Sequence, residues 1–514
     1  EGGRMYLTQA LHRNLQQRAG APATLFRGRT RSWGEVADRV ARVAGGLRDL
    51  GLKPGERLAM LSLNSDDYLI LYYAAFWAGG IAVPLNWRSS PAELATILAD
   101  SEPVILAHDD RLAPMASALA AQRPGLRLVH AGTGAPADGA VALDALAAGP
   151  ATPDVRAGGS ELAAIFYTGG TTGTPKGVML SHDNLFGNAL CTAAITRLDP
   201  SISFLHAAPM FHLADAAMVF GLSAIGGRHV MIPHFDAAAV VEAIARDGVN
   251  ALFLVPTMIA MVLDHAAATG ADLTRVERLT YGAAPISETL LKRAMAAFPN
   301  ARFQQGYGQT ELSPVATMMT HEDHLAGRLG TAGRSVLGVD VIITDPEGRE
   351  LPPGQVGEIR VRSPGAMQGY WRRPEETAAT LVEGWVRTGD AGFLDEEGYL
   401  TVVDRLKDMI VSGGENVYSV EVEDALMAHP AVAMCAVIGV PDEHWGERVH
   451  AIVQARAPVT PEELSAHCHA RIADYKCPRS WEIRADPLPV SAQGKVLKAQ
   501  LRAPFWAGRT RAVA

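Results

Sequence analysis

The sequence predicts an α/β protein: a large N-terminal body of layered α/β subdomains plus a small β-barrel, followed by a smaller α+β C-terminal domain. Three observations carry this. Through the first 400 positions, short apolar runs alternate with helical patterns, as expected of mostly parallel sheets covered by helices. From about position 335 the texture changes to short strands punctuated by glycine. Past position 405 helical and strand patterns resume, and positions 407–514 are of ordinary domain size.

The elements follow in order. Segments 57–63 (RLAMLSL), 103–107 (PVILA) and 251–255 (ALFLV) read as buried strands. Segment 236–247 reads as a helix, with Asp236 as N-cap, Val240, Val241 and Ile244 on one face and Gly248 as its stop. VDVIITDPEGRE, GEIRVRS and WVRTGDAGFLDEEGYLTVVDR show partial alternation, with Gly348, Gly354 and Gly398 at turns, and read as a small antiparallel sheet or barrel. Beyond it, 419–428 reads as helix, 434–440 as strand and 461–473 as helix.

Composition narrows the function. Of 514 residues 48% are hydrophobic and 20% charged, which suits a folded chain and excludes disorder. A net charge of −9 argues against nucleic acid as a partner. Cys191, Cys435, Cys468 and Cys477 are scattered and form no CxxC pair, so neither a disulfide framework nor a structural zinc site is expected, and a reducing cytoplasm is the expected compartment. EGGR ahead of Met5 has no apolar leader segment. The most apolar stretch, 249–263, contains Pro256 and falls short of the ~20 residues of a span, so no integral membrane segment is expected.

The strongest local signal is YTGGTTGTPKG at 167–177, directly after the apolar strand 162–166. A strand feeding a loop of glycines and threonines gathers backbone N–H groups and hydroxyls around one concavity, which suits a polyphosphate, and Lys176 adds a point charge. The Walker pattern fails because Pro175 precedes the lysine and Gly177 follows it, and GxGxxG is absent here too. The alternative is a plain surface loop.

With this loop come PMFH (209–212), YGAAP (281–285), GYGQTE (306–311), GEIRVRSPGAMQGYW (357–371), RTGD (387–390), DRLKDMIVSGGENV (404–417) and LPVSAQGKVLK (488–498). In their order and spacing, over nearly the whole chain, these motifs resemble the adenylate-forming superfamily: acyl-CoA synthetases, peptide-synthetase adenylation domains and luciferases. The resemblance implies an acyl-adenylate made from a carboxylate and ATP with loss of pyrophosphate, then transfer of the acyl group to a thiol. ATP, Mg²⁺ and CoA are the implied cofactors and co-substrates, and a small carboxylic acid the partner, with a homodimer left open.

The resemblance also implies roles. Glu311 would hold Mg²⁺. Thr168, Thr171, Thr172 and Thr310 would offer hydroxyls to phosphate oxygens, with Gly169, Gly170, Gly173 and Lys176 completing the loop. Gly169 stands where many relatives carry Ser. Gly282, Ala283 and Ala284 would form a small-residue shelf for adenine, and Gly306, Tyr307 and Gly308 would border the nucleotide. Asp390 would accept the ribose hydroxyls, and Arg405 would touch ribose or phosphate from the domain junction. Lys495 would bridge the carboxylate and the α-phosphate as charge develops.

Lys407 would be the hinge between domains 5–406 and 407–514, a solvated lysine about which a mobile terminal domain exchanges Lys495 for the loop of Gly413, Gly414 and Glu415. His212 would gate the acyl carboxylate, although a lone His in an apolar segment is more often a core group.

By the same resemblance His212, Leu213, Ala214, Thr257, Met258, Gly306, Gly308 and Ser313 would line the acyl pocket. Besides His212 these are small or apolar and none is an Arg or Lys, which disfavours a dicarboxylic acid. Room at Gly306 suits a medium- or long-chain fatty acid first and an aromatic acid next. Asp215 is expected to face solvent. The leading expectation is an AMP-forming acyl-CoA synthetase. The alternatives are an enzyme loading a carrier-protein phosphopantetheine and, outside enzymes, an acyl- and nucleotide-binding sensor.

Overall fold

A computed structural model describes residues 4–168, 175–284, 286–413, 415–490 and 496–507. Among them the strands form four sheets. An eight-stranded sheet runs in the order Gly369–Tyr370, Lys176–Ser181, Leu162–Thr168, Ile81–Pro84, Arg57–Leu61, Ile105–His108, Arg127–His130, Ala140–Ala142. A nine-stranded sheet has an interior of Arg302–Gly308, Arg278–Gly282, Ala251–Leu254, Ser203–His206, Arg228–Met231 and Pro22–Phe26, all parallel. The expected α/β layering is borne out, with antiparallel strands confined to sheet edges.

The two large sheets share one core. Helices Trp33–Asp49, Asp66–Trp77, His182–Ile195 and Leu213–Ile225 contribute to a single apolar cluster that also takes Leu58, Met60 and Ala82 from one sheet and Ala23 and Met231 from the other. Helix Asp66–Trp77 is buried from Tyr68 to Trp77, as an all-round apolar sequence requires. Its Tyr72 and Phe76 meet Phe220 with ring centroids 5.5 and 5.9 Å apart, packing that adds about 0.5–1.5 kcal/mol per pair beyond burial.

Local signals behaved as their chemistry dictates. Asp236 caps Ala237–Arg246 by accepting the Ala239 N–H, and Gly248 follows with φ of +69°. Helix Pro461–His469 stops short of position 473, because its chain turns through Ala470 into the short 3₁₀ turn Asp474–Lys476.

The segment after 335 is a five-stranded antiparallel sheet containing Asp340–Thr344, Gly357–Arg362, Leu381–Val382, Trp385–Leu394 and Leu400–Arg405. Sheet membership then changes: Ile410–Ser412 already belongs to the C-terminal sheet, with Glu415–Val417, Val432–Asp442, Gly446–Ala455 and Ser480–Arg484. Across position 407 the Asp404 carboxylate accepts the Ser419 N–H and hydroxyl at 2.6 and 2.7 Å, and just beyond it Arg502 pairs with Asp408 at 2.6 Å. No helix among the described residues is long and apolar enough to cross a membrane.

Candidate active site

Ligands of open α/β sheets gather beyond the carboxyl ends of parallel strands. Four such strands end around one cavity here. Ser203–His206 leads to His212, Ala251–Leu254 brings Phe253, Arg278–Gly282 leads to Ala283, and Arg302–Gly308 leads on to Thr310 and Glu311. From the other large sheet the hairpin Leu162–Thr168 and Lys176–Ser181 delivers Thr168 and Lys176. The five-stranded sheet closes the site with Glu358, Arg387, Thr388 and Arg405, and Lys407 follows. The cavity measures 570 Å³, within the range of small-molecule sites.

Its polar part is held by interlocking pairs. The Tyr370 hydroxyl donates to Glu311 Oε1 at 2.7 Å; burial and the neighbouring carboxylate both push that phenol up, so it remains a donor. Lys176 Nζ lies 5.1 Å from the Tyr370 ring centroid. Asp390 sits just behind the wall, 4% exposed, where Tyr307 donates to Oδ2 at 2.8 Å and Arg405 Nε approaches Oδ1 at 2.7 Å. Asp390 and Arg405 are cross-strand partners, which places the pair by register. Asp390 raises the Arg405 guanidinium further, and burial followed by Asp390 pushes the Tyr307 phenol well up.

The other part is apolar and is set by the loop before helix Leu213–Ile225. Asn64, 2% exposed, reaches across from the eight-stranded sheet: its amide donates to the Ala208 carbonyl and accepts the Met210 N–H, each at 2.8 Å. Tyr72 donates to the Met210 carbonyl at 2.9 Å. His212 thereby becomes the helix N-cap, its Nδ1 accepting the Ala214 N–H at 3.2 Å. An acceptor Nδ1 puts the ring proton on Nε2. Ala214, Ala217 and Met218 continue the wall along this helix, facing Phe253, Val315 and Met318.

Beneath that helix lies a closed polar circuit. Asp215 Oδ2 meets His206 Nδ1 at 2.6 Å, His206 Nε2 meets His229 Nδ1 at 2.9 Å, and His229 Nε2 meets Ser223 Oγ at 3.1 Å. Both ends of the circuit stand on the same helix, and all four residues are fully buried. Asp215 therefore does not face solvent as expected; burial raises its carboxyl and drives His229 well below its ordinary range. The circuit fixes the helix on the sheet and thus the wall it carries.

The cavity lining unites Thr168, Lys176, His212, Ala214, Ala283, Gly306, Tyr307, Gly308, Thr310, Glu311, Arg405 and Lys407 of the expected set. Met258 borders a small pocket adjoining His212. Other expected residues are elsewhere. Leu213 is part of the hydrophobic core. Ser313 is 1% exposed and spends its hydroxyl on the Gly365 carbonyl at 2.7 Å. Thr257 and Ala284 are not on the cavity wall.

Gly282 is small for a different reason: a Cβ there would lie 2.3 Å from the Gly306 carbonyl oxygen of the next strand. Gly413 packs beneath Trp445, where a Cβ would come within 2.7 Å of the indole, and it and Glu415 stand away from the cavity wall. Lys407 is half-buried at the cavity edge, and burial lowers its ammonium. Gly169, Gly170, Thr171, Thr172, Gly173, Gly414 and Lys495 lie outside the described residues.

Sequence reasoning passed over Arg387, Glu358 and Tyr370, although all three fall inside the quoted motifs. Arg387 Nε donates to Glu358 Oε2 at 2.9 Å across neighbouring strands. Among the described residues no three His, Cys, Asp or Glu side chains cluster as a metal site. Glu311 alone, with Oε1 taken by Tyr370, suits a Mg²⁺ that draws its other ligands from phosphate and water.

Comparisons agree with this geometry. Residues 11–371 match the model of the AMP-binding enzyme family, and residues 421–495 that of the AMP-binding enzyme C-terminal domain. The chain is 40% identical over 488 residues to a feruloyl-CoA synthase of Amycolatopsis sp, covering 94% of this chain and 96% of that protein. It is 36% identical over 516 residues to the fatty acid–[acyl-carrier-protein] ligase ScoC of Streptomyces coeruleorubidus, covering 99% and 98%. The solved structure of ATP-bound MatB from Rhodopseudomonas palustris superposes with a TM-score of 0.88 at 31% identity, covering 99% of this chain and 100% of that one. The chain belongs to the AMP-binding, adenylate-forming enzymes, the acid–thiol ligases that work with ATP, Mg²⁺ and CoA.

Proposed function

We propose that the protein is an ATP-dependent acyl- or aryl-CoA synthetase. A carboxylic acid and ATP give acyl-AMP and pyrophosphate, and acyl-AMP with CoA then gives acyl-CoA and AMP. The observation that carries this is the single cavity in which an apolar wall beginning at His212 joins a charged wall of Glu311, Arg387 and Arg405. The acid's tail rests on the first wall while its carboxylate meets the α-phosphate at the junction.

Glu311, oriented by Tyr370, would hold Mg²⁺, which neutralises phosphate charge when bound. Asp390 accepts the ribose hydroxyls through lone pairs that Tyr307 and Arg405 leave open. His212 Nε2–H donates toward the acyl carboxylate. Lys495 supplies the cation for the α-phosphate, and rotation about Lys407 brings the loop of Gly413 and Glu415 to the thiol step.

The acid is compact. His212 to Met218 is six residues of helix, roughly 9 Å at 1.5 Å per residue, and the helix beyond Met218 belongs to the core. That reach suits a phenylpropenoic acid first and a medium-chain fatty acid second, the reverse of the order expected from sequence. Transfer to a carrier-protein thiol is the second reading, favoured by the likeness to ScoC.

The test is pyrophosphate release over a panel of fatty, benzoic and cinnamic acids, with and without CoA. CoA-dependent turnover of cinnamic acids is the expected result. Slow, CoA-insensitive release favours the carrier protein, and turnover confined to long-chain acids overturns the compact-acid reading.

A further inference from the structure

We infer that Thr192 reads the far end of the substrate, donating or accepting a hydrogen bond with a neutral polar group there, and that the preferred acid is therefore a phenylpropenoate bearing a ring hydroxyl. This rests on the compact-acid reading above. Thr192 lies at the start of the last turn of helix His182–Ile195 and forms part of the cavity wall. It is 8% exposed, and its Oγ1, itself shielded from solvent in this rotamer, has no hydrogen-bond partner among the described residues.

That orphan hydroxyl departs from the habit of this protein's helices. Thr96, Ser101, Thr196 and Thr269 each donate to the carbonyl four residues back, at 2.7–2.9 Å. Thr196 does so to the carbonyl of Thr192 itself, one turn away on the same helix. Thr192 makes no such bond to Asn188. A helical threonine has two accessible χ1 rotamers, so hydroxyl and methyl exchange places at Thr192 with no hydrogen bond broken. Valine would fill the same volume without a buried polar atom, whereas a hydroxyl left unpaired in a wall is costly unless a ligand satisfies it.

The surroundings define that ligand. Ala217, Met218, Phe253, Val315 and Met318 supply neither charge nor a strong hydrogen-bonding group. A second carboxylate or an ammonium at this end would be desolvated without a counter-charge, so the matching group is neutral. A phenol fits. Sites built around a hydrogen bond also discriminate strongly against the analogue that lacks it.

The test compares 4-hydroxycinnamate with cinnamate in the wild type and in Thr192→Val and Thr192→Ser, with thermal melting to confirm folding. The wild type should prefer the hydroxylated acid. Thr192→Val should cut the ratio of kcat/KM between the two acids by about tenfold, through KM more than kcat, and Thr192→Ser should restore most of it. An unchanged ratio in Thr192→Val overturns the role of Thr192, as does an equal loss for both acids, while either leaves the aryl-CoA reading standing. A wild type that ligates alkanoic acids and neither cinnamate removes that reading and this proposal together.

Discussion

The apolar and charged walls share one cavity and are built by opposite means. The apolar wall rides on a helix sealed into the main core, and the helix's Asp215 is engaged underneath with His206 and His229 in a buried circuit, away from the cavity wall. The charged wall is assembled from cross-strand pairs that stay partly open to solvent, such as Arg405 with Asp390 and Arg387 with Glu358. Buried pairs hold position and are costly to break, whereas exposed ones remain free to bind. Errors in the first wall should therefore appear as folding defects, and errors in the second as catalytic ones.

The sharpest way to break this comparison is His206→Leu, which strands the Asp215 carboxylate in the core. It should lower unfolding stability by about 3–5 kcal/mol, read by urea denaturation. His206→Leu combined with Asp215→Leu should recover much of that loss, since no charge is then buried. Equal, additive losses in single and double variants would show that the circuit does not act as a unit.

On the charged wall the expected effect is catalytic. Glu311→Gln should reduce pyrophosphate release about 10²–10³-fold with little change in urea midpoint, and Lys495→Ala likewise. Thioester formation from preformed acyl-AMP and CoA should survive in Lys495→Ala, because the role proposed for that cation belongs to the first half-reaction alone. Wild-type pyrophosphate release by either variant would remove it from the adenylation step.

The two walls were not equally legible in sequence. Residues whose proposed roles rest on their own chemistry stand out in the sequence: glycines, threonines and Lys176 after a strand, Glu311 after GYGQT, and Asp390 in RTGD. Residues that act through neighbours do not. Asp215 looks like a surface charge on an apolar helix until strands carrying His206 and His229 are brought beside it. Asn64 holds the His212 loop from another sheet, and nothing local to NSDD or PMFH connects them. The fold was readable because strand–helix alternation is local, while the supports of the site are long-range.

Two glycines in one strand sharpen the point at smaller scale. A Cβ at Gly306 meets nothing within 4 Å, whereas one at Gly308 would lie 1.9 Å from the Pro314 carbonyl oxygen. Gly306→Val should leave stability near wild type and exclude phenylpropenoic acids, read as a rise in KM for the acid with KM for ATP little changed. Gly308→Ala should instead cost about 1–3 kcal/mol of stability through forced backbone movement. Equal stability losses at the two positions would contradict the idea that Gly306 faces free space.

The smallest expected effect concerns pH, and again separates the walls. His182 opens the helix that carries Thr192, is fully buried against Phe76, and accepts the Leu7 N–H at Nδ1. Burial pushes its pKa down to about 4. The folded protein thus keeps His182 neutral where the unfolded chain, with an ordinary value near 6.5, takes up a proton. Its contribution is complete above pH 6.5 and is lost as pH falls toward 4, with about 2 kcal/mol already lost at pH 5. His229 and His324, both lowered by burial, act in the same direction. Urea midpoints should fall between pH 7.5 and 5, and less steeply in His182→Asn. A pH slope unaltered in that variant would mean that acid acts elsewhere, and that the histidines behind the apolar wall do not set its pH limit.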